Sequence, residues 1–321
     1  MLQSYYKSPN RDFTLLQGDC IAILNQFDFQ FDMIFADPPY FLSNGGISVQ
    51  SGKQVSVNKG DWDKSHGFDE DNCFNRKWIS ACHEHLKPDG TIWISGTYHN
   101  IFSAAQMLNE LNFRILNCIT WAKTNPPPNL SCRFFTHSTE FILWARKDKK
   151  VPHYFNYELM KEINGGTQMR DLWSLPAIAK WEKSCGKHPT QKPLPLLARI
   201  ILASTKENAW ILDPFAGSST TGIAANLFNR RFLGIEKETE FLEMSKRRRE
   251  EIENPLVKYE YKKRISKYSD KPLRNYEHYA PATRRLQPDV SKSVNERSRN
   301  EFGMTLSVHE NVPYFGVDLP F

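Results

Sequence analysis

No stretch of this 321-residue sequence approaches the run of about 18 apolar residues that spans a bilayer, and its start, MLQSYYKSPN, lacks the apolar core of a signal peptide. A membrane-spanning helix is therefore not expected, and the chain reads as cytoplasmic. The six cysteines, Cys20, Cys73, Cys82, Cys118, Cys132 and Cys185, form no CxxC pair and no Cys/His grouping at zinc spacing. They read as buried or idle thiols, and no metal site is expected. Internal repeats and low-complexity tracts are missing as well, which removes solenoids and disordered polymers from consideration. A one-sided charge is absent too: the net charge of +6 allows a polyanionic partner without establishing one.

What is present is enough apolar material, 40% of residues, to bury one full α/β core. Short apolar runs end repeatedly on a polar stop: FTLLQGD (13–19), FDMIFADPPY ending at Tyr40, GTIWISG around Trp93, FILWA around Trp144, AWILDPFAG ending at Gly217 and RFLGIE ending at Glu236. Segments with helical spacing lie between them, at 74–86, 101–111, 193–203 and 220–228. That alternation predicts a mostly parallel sheet flanked by helices, with one large domain over 1–252. A polar, irregular stretch at 146–186 reads as an insertion. Residues 253–321 read as a basic extension in which tyrosines interleave with lysines and arginines, either a solvated tail or an arm that touches nucleic acid.

In such sheets ligands bind beyond the carboxyl ends of the strands. Asp19, Asp37, Asp213 and Glu236 each follow a predicted strand directly. One such acid is ordinarily a helix cap or a loop residue, but four at equivalent positions point to a site. The sharpest signal is Asp37-Pro38-Pro39-Tyr40. Two prolines hold a stiff turn with free carbonyls, and an acid and an aromatic ring adjoin it. Methylation of an aromatic amine needs these parts. A carboxylate and a carbonyl that accept the two N–H hydrogens favour the pyramidal nitrogen of the transition state, while Tyr40 offers a ring to stack on the base.

A second signal is Asp213-Pro214-Phe215-Ala216-Gly217-Ser218, a small-residue turn between a strand and a helix that lets a ligand approach the backbone. Glu236, about 20 residues on, is placed to accept hydrogen bonds from ribose hydroxyls. A third is His188-Pro189-Thr190-Gln191-Lys192-Pro193, which read alone is an ordinary turn into a helix. Asp19 read alone is the N-cap of the helix IAILNQF.

Together these motifs resemble the amino-methyltransferases of DNA, and specifically their β group, in which DPPY comes first, the target-recognition region follows and the FxGxG cofactor motif comes last. The resemblance covers roughly 12–249. It implies a circularly permuted class I S-adenosylmethionine-dependent methyltransferase fold with S-adenosylmethionine as cofactor. It places Asp19 near the cofactor adenine and Thr190, Gln191 and Lys192 near its methionine carboxylate. The cofactor pocket would be shaped by Asp213, Pro214, Phe215, Gly217, Ser218 and Glu236. The stretches DPPYFLSNGG, GDWDK and KTNPPPNLSCRFFTHSTE look especially like the N6-adenine methyltransferases that protect GATC in type II restriction-modification systems, including forms active on single-stranded DNA. DNA is thus the implied substrate, a restriction endonuclease the implied companion and a homodimer the implied assembly. Residues 43–62 are expected as a mobile loop over the substrate, 146–186 as the target reader, and Arg133 and His137 as further DNA contacts. One departure is visible, since the second glycine of FxGxG is Ser219.

Three other readings compete. An N4-cytosine methyltransferase would share the scaffold, although Asp37 favours adenine because cytosine enzymes of the family usually carry serine there. A non-catalytic DNA-binding subunit has no physical need for all three motifs. A dinucleotide oxidoreductase would place GxGxxG after its first strand, and none is found there. A C5-cytosine enzyme needs a cysteine nucleophile, normally after proline, and the chain has no Pro-Cys pair.

Overall fold

The computed structural model describes residues 3–42, 63–129 and 132–268, together with the backbone of two short strands within 43–62. The chain begins with β1 (Tyr6–Lys7), β2 (Phe13–Gln17), α1 (Cys20–Leu24) and β3 (Phe31–Ala36). A hairpin of β4 (Ile47–Gln50) and β5 (Lys53–Ser56) follows, then α2 (Phe68–Glu84), β6 (Leu86–Gly96), α3 (Ile101–Glu110), β7 (Arg114–Lys123) and β8 (Thr139–Arg146). The last third holds α4 (Tyr157–Ile163), β9 (Leu172–Leu175), α5 (Leu194–Ser204), β10 (Trp210–Asp213), α6 (Thr220–Leu227), β11 (Arg231–Glu236), α7 (Thr239–Glu251) and α8 (Pro255–Ser266).

Among the described residues, nine strands form one sheet in the order β1-β2-β11-β10-β3-β6-β8-β7-β9. The run from β2 to β6 is parallel throughout. β8 enters antiparallel between β6 and β7, while β1 closes the opposite edge antiparallel to β2. The strands that open the chain therefore flank the pair that closes it, which is the permuted order implied by the motifs. From β10 the chain crosses over to β11, and from β3 it crosses the other way to β6. The switch point thus lies between β10 and β3, where Asp213 and Asp37 end adjacent parallel strands.

Strand periodicity divides the core between two faces. On β3, Met33 and Phe35 join the cluster beneath α5 and α6, whereas Ile34 and Ala36 join the one beneath α1, α2 and α3. Ile211 and Leu212 of β10 split in the same way. Both faces are covered, so the central strands read as continuous apolar runs.

Two expectations change. The stretch 146–186 is not irregular throughout, because β9 pairs parallel with β7 and α4 buries Leu159, Met160 and Ile163. Its strand, LWSL, has only two inward residues, Trp173 and Leu175, too short an alternation to register among polar neighbours. The packed unit also continues past 252: α8 lies on α5 and buries Tyr261 and Ile265. Of the segment expected as a mobile loop, only the β4-β5 hairpin is described, and the rest of 43–62 lies outside the described residues, as do 269–321. Among the described residues no helix is long and apolar enough to cross a membrane.

Helix α6 approaches the sheet closely at Gly222, where a Cβ would stand 2.5 Å from both Phe13 Cε2 and Phe232 Cδ1. Alanine favours a helix interior over glycine by about 1 kcal/mol. Even so, Gly222→Ala is expected to destabilise the protein by about 1–3 kcal/mol through overpacking. Urea denaturation would measure this, and a variant as stable as the parent or more so would contradict the close approach.

Candidate active site

The carboxyl ends of β2, β11, β10 and β3 share one edge of the sheet, and a cavity of about 390 Å³ opens there. Asp19, Glu236, Asp213 and Asp37 all line it. So do Pro39, Thr190, Gln191, Lys192, Pro214, Phe215, Gly217 and Ser218. Pro38 and Tyr40 do not, since both are buried.

Asp37 directly follows β3, and the two prolines prevent the strand from continuing. Beyond them the chain turns sharply, with Phe41 in the left-handed region at φ 58°. The fully buried Asp63 holds this turn, its Oδ1 accepting the amides of Tyr40 at 2.8 Å and Phe41 at 3.0 Å. Phe41 faces the cavity while Tyr40, 6% exposed, is folded into the core. The Tyr40 hydroxyl donates to Asp37 Oδ1 at 2.6 Å and lies 3.1 Å from Ser95 Oγ. Burial, with Asp37 and Glu140 nearby, pushes its pKa well up, so it remains a donor. The expected stacking role of Tyr40 is thus not displayed; the ring is occupied, with the Lys192 ammonium 5.3 Å from its centroid.

Lys192 lines the cavity and also reaches Asp37. Its ammonium, expected near a cofactor carboxylate, donates to Asp37 Oδ2 at 2.5 Å and stands 3.7 Å from Glu140 Oε2. Lys123 in turn binds Glu140 Oε1 at 2.5 Å. Burial opposes the charge on Lys192, but Asp37 and Glu140 outweigh it and raise the pKa. Asp37 is therefore oriented from both sides, one oxygen by a phenol and the other by an ammonium, and each oxygen keeps a lone pair for a further donor.

The opposite wall is built on the turn after β10. Asp213 accepts the Phe215 amide at 3.0 Å and the Thr221 hydroxyl at 2.6 Å. Glu236 accepts the Gly217 amide at 2.8 Å and the amides of Lys237 and Glu238 at 2.8 and 2.9 Å. Gly217 has φ 50°, and a Cβ on it would meet His188 Nε2 at 2.9 Å. Helix α7 supports the turn from below: Ser245 donates to the Gly217 carbonyl, and buried Arg248 donates to the Ser218 carbonyl at 2.6 Å and to the Thr220 hydroxyl. Ser219 takes the left-handed conformation, φ 54°, at the N-cap of α6. The turn thus keeps the geometry a glycine would favour, at a strain of about 1–2 kcal/mol.

Asp19 caps α1 through the Ala22 amide at 3.1 Å and pairs with Lys237 at 2.8 Å. Burial alone would raise its pKa, but these donors bring it below the usual value. Gln191 donates to the Glu182 carbonyl, and its own Oε1 is buried without a partner among the described residues. Phe41, Phe74, Phe215 and Trp78 form a chain of edge-on and tilted rings along the wall, with centroids 5.3–6.1 Å apart.

The cavity wall carries seven carboxyl groups, including Glu70, Asp71 and Glu238, against the lysines Lys64, Lys192 and Lys237. Such a wall suits a cationic ligand with an apolar, flat portion and repels a pyrophosphate. Asp63, Glu140, Lys123 and Ser95 join the site from segments that carry none of the three motifs. Of these only Glu140 leaves a signal, as a lone carboxylate at the head of the apolar run FILWA.

Burial raises Asp213 to about 7 from the ordinary 3.8; the hydrogen bonds from Thr221 and the Phe215 amide oppose the rise, and the like charges of Asp37 and Glu236 add to it. Between these values the folded state holds a proton that the unfolded state has lost. Stability should therefore fall as pH rises from about 4 to about 7, with Asp213 contributing at most about 1.4 kcal/mol per pH unit. In chemical denaturation across this range, Asp213→Asn is expected to flatten the decline; an unaltered slope would contradict the buried, proton-holding carboxyl. A second expectation concerns the turn. Asp63→Ala should lower kcat by about tenfold or more, as loss of about 1.4 kcal/mol of positioning implies, whereas Asp63→Asn, whose amide oxygen can accept the same two amides, should retain most of it. Equal losses in steady-state assays would rule out the hydrogen-bonding role.

The profile of the DNA methylase family matches residues 31–247. The chain is 56% identical over 267 residues to the type II methyltransferase M2.MboI of Moraxella bovis, covering 83% of this chain and 97% of that one. It is 58% identical over 252 residues to the type II methyltransferase M2.DpnII of Streptococcus pneumoniae, covering 78% and 93%. Among solved structures it is similar to the M1.HpyAVI–SAM complex, with a TM-score of 0.58 and 31% identity, covering 74% of this chain and 98% of that one. The PvuII DNA methyltransferase, cytosine-N4-specific, matches with a TM-score of 0.58 at 18% identity, covering 80% and 93%, a likeness of fold alone. With the permuted class I sheet and a cavity bounded by DPPY and the turn after β10, the chain belongs to the DNA methylase family.

Proposed function

We propose that this protein transfers a methyl group from S-adenosylmethionine to N6 of adenine in DNA, at GATC, as the methyltransferase of a type II restriction-modification system. The observation that carries the reading is Asp37, a carboxylate on the wall of a carboxyl-rich cavity, held between the Tyr40 hydroxyl and the Lys192 ammonium.

The residues present fit the cofactor. S-adenosylmethionine supplies an activated methyl group on a sulfonium, and its net positive charge matches the excess of carboxylates on the wall. Glu236 and Asp19, both on the cavity wall, are assigned to the ribose and the base, and the orphaned Gln191 Oε1 supplies an acceptor for an ammonium. The aromatic chain that runs through Phe74 and Phe215 supplies apolar cover.

On the substrate side, the amine of adenine is a poor nucleophile because its lone pair is delocalised into the ring. Asp37 accepts an N–H hydrogen, favouring the pyramidal nitrogen that attacks, and Lys192 and Tyr40 fix the carboxylate so that no reorientation precedes transfer. Aspartate at this position is the feature that selects adenine over cytosine in the proposal. Residues 146–186 are assigned to target reading. A homodimer, a companion endonuclease and action in the cytoplasm complete it.

Asp37→Ala is expected to lower methyl transfer to DNA by a factor of at least about a thousand, in line with removal of a group acting in the transition state, while binding of S-adenosylmethionine by calorimetry stays within about threefold. Mapping of methylated bases should show N6-methyladenine at GATC. An active Asp37→Ala protein, or methylation confined to cytosine, would overturn this function.

A further inference from the structure

Several large aromatic rings project into solvent on the side of the sheet edge that carries Asp37. Phe134 is 58% exposed, Phe135 97% and Tyr98 49%. Phe134 and Tyr98 form a ladder with two exposed imidazoles: Phe134 lies 5.3 Å from His137, His137 stacks on Tyr98 at 5.5 Å and 26°, and Tyr98 meets His99 at 3.8 Å. The Thr97 hydroxyl, 3.2 Å from His99 Nδ1, fixes that last ring.

The location of the ladder follows from the sheet. Tyr98 comes three residues after Ser95, and His137 three residues before Glu140. Ser95 and Glu140 both reach the Tyr40 hydroxyl, at 3.1 and 3.5 Å. The ladder therefore stands at the carboxyl edge of β6 and the start of β8, beside the group that orients Asp37.

Exposed rings bury poorly against duplex DNA, whose base faces are already stacked, but they are suited to bases freed from a duplex. Arg133 next to Phe134 favours a polyanion over an apolar protein surface. We propose that the Phe134–His137–Tyr98–His99 ladder is a stacking platform for unpaired bases beside the target adenine on the methylated strand. The proposal rests on the reading of the protein as a DNA methyltransferase and adds the surface that holds the DNA next to the reacting base.

The test uses the full chain and a short single-stranded oligonucleotide with one GATC, labelled for anisotropy and carrying 2-aminopurine immediately 5′ of the GATC. Tyr98→Ala and His137→Ala should each raise the Kd for this DNA about tenfold, the effect of losing a ring-on-base stack. They should also abolish the change in 2-aminopurine fluorescence on binding. Tyr98→Phe should behave as the parent, and binding of S-adenosylmethionine should be unchanged in all three. If the parent binds and methylates this DNA while both alanine variants keep its Kd and fluorescence, the platform is refuted and the function stands. If the alanine variants instead turn a dimeric parent into a monomer at unchanged DNA affinity, the surface is a subunit contact and the inference fails. A parent protein that neither binds nor methylates DNA overturns both.

Discussion

A buried ammonium is tolerated only where opposite charge surrounds it, and Lys192, 7% exposed, meets that condition with Asp37 on one side and Glu140 on the other. The pairing ties the segment before α5 to the end of β3, 155 residues away in sequence, and to the start of β8. Lys123 balances the second carboxylate, so charges alternate Asp37, Lys192, Glu140, Lys123 across the edge of the sheet. Removal of any inner member would strand a charge in a place where water cannot easily reach it. The orientation of Asp37, and with it the Tyr40 hydroxyl and the DPPY turn, depends on this arrangement.

The cofactor side follows a different rule. There the acids are anchored by backbone amides: Glu236 takes three, Asp213 takes one together with the Thr221 hydroxyl, and Asp19 caps α1. A structural role and a place on the cavity wall coexist in these residues. Read singly, Asp19 is a helix cap, and it is one; it is also part of the cavity wall. Oxygens fixed by amides present their remaining lone pairs in a set direction, so the same bonds that stabilise the turns prepare the site.

Both walls meet between β10 and β3 because the crossovers leave that point in opposite directions. The exposed ladder at Tyr98 and His137 lies further along the same edge, on the side of β6 and β8. The cofactor cavity, the carboxylate and the aromatic surface thus follow one another along the carboxyl edge, in an order set by the sheet.

Much of this was legible in the chain itself. Alternating apolar runs and helical segments determined the doubly wound sheet, since each run is long enough to cross it and each ends on a polar stop. DPPY, HPTQKP and DPFAG, with Glu236, determined the site's membership, because their residue types and order are tied to local turns. The tertiary structure alone decided how those residues are used. Lys192 pairs with Asp37, Tyr40 turns inward, and Asp63 and Glu140 join from distant segments, because charge pairing and burial act through space. β9 and α8 also emerged only in three dimensions. Their inward faces are too short to mark a periodicity, and each is stabilised by the element it packs against.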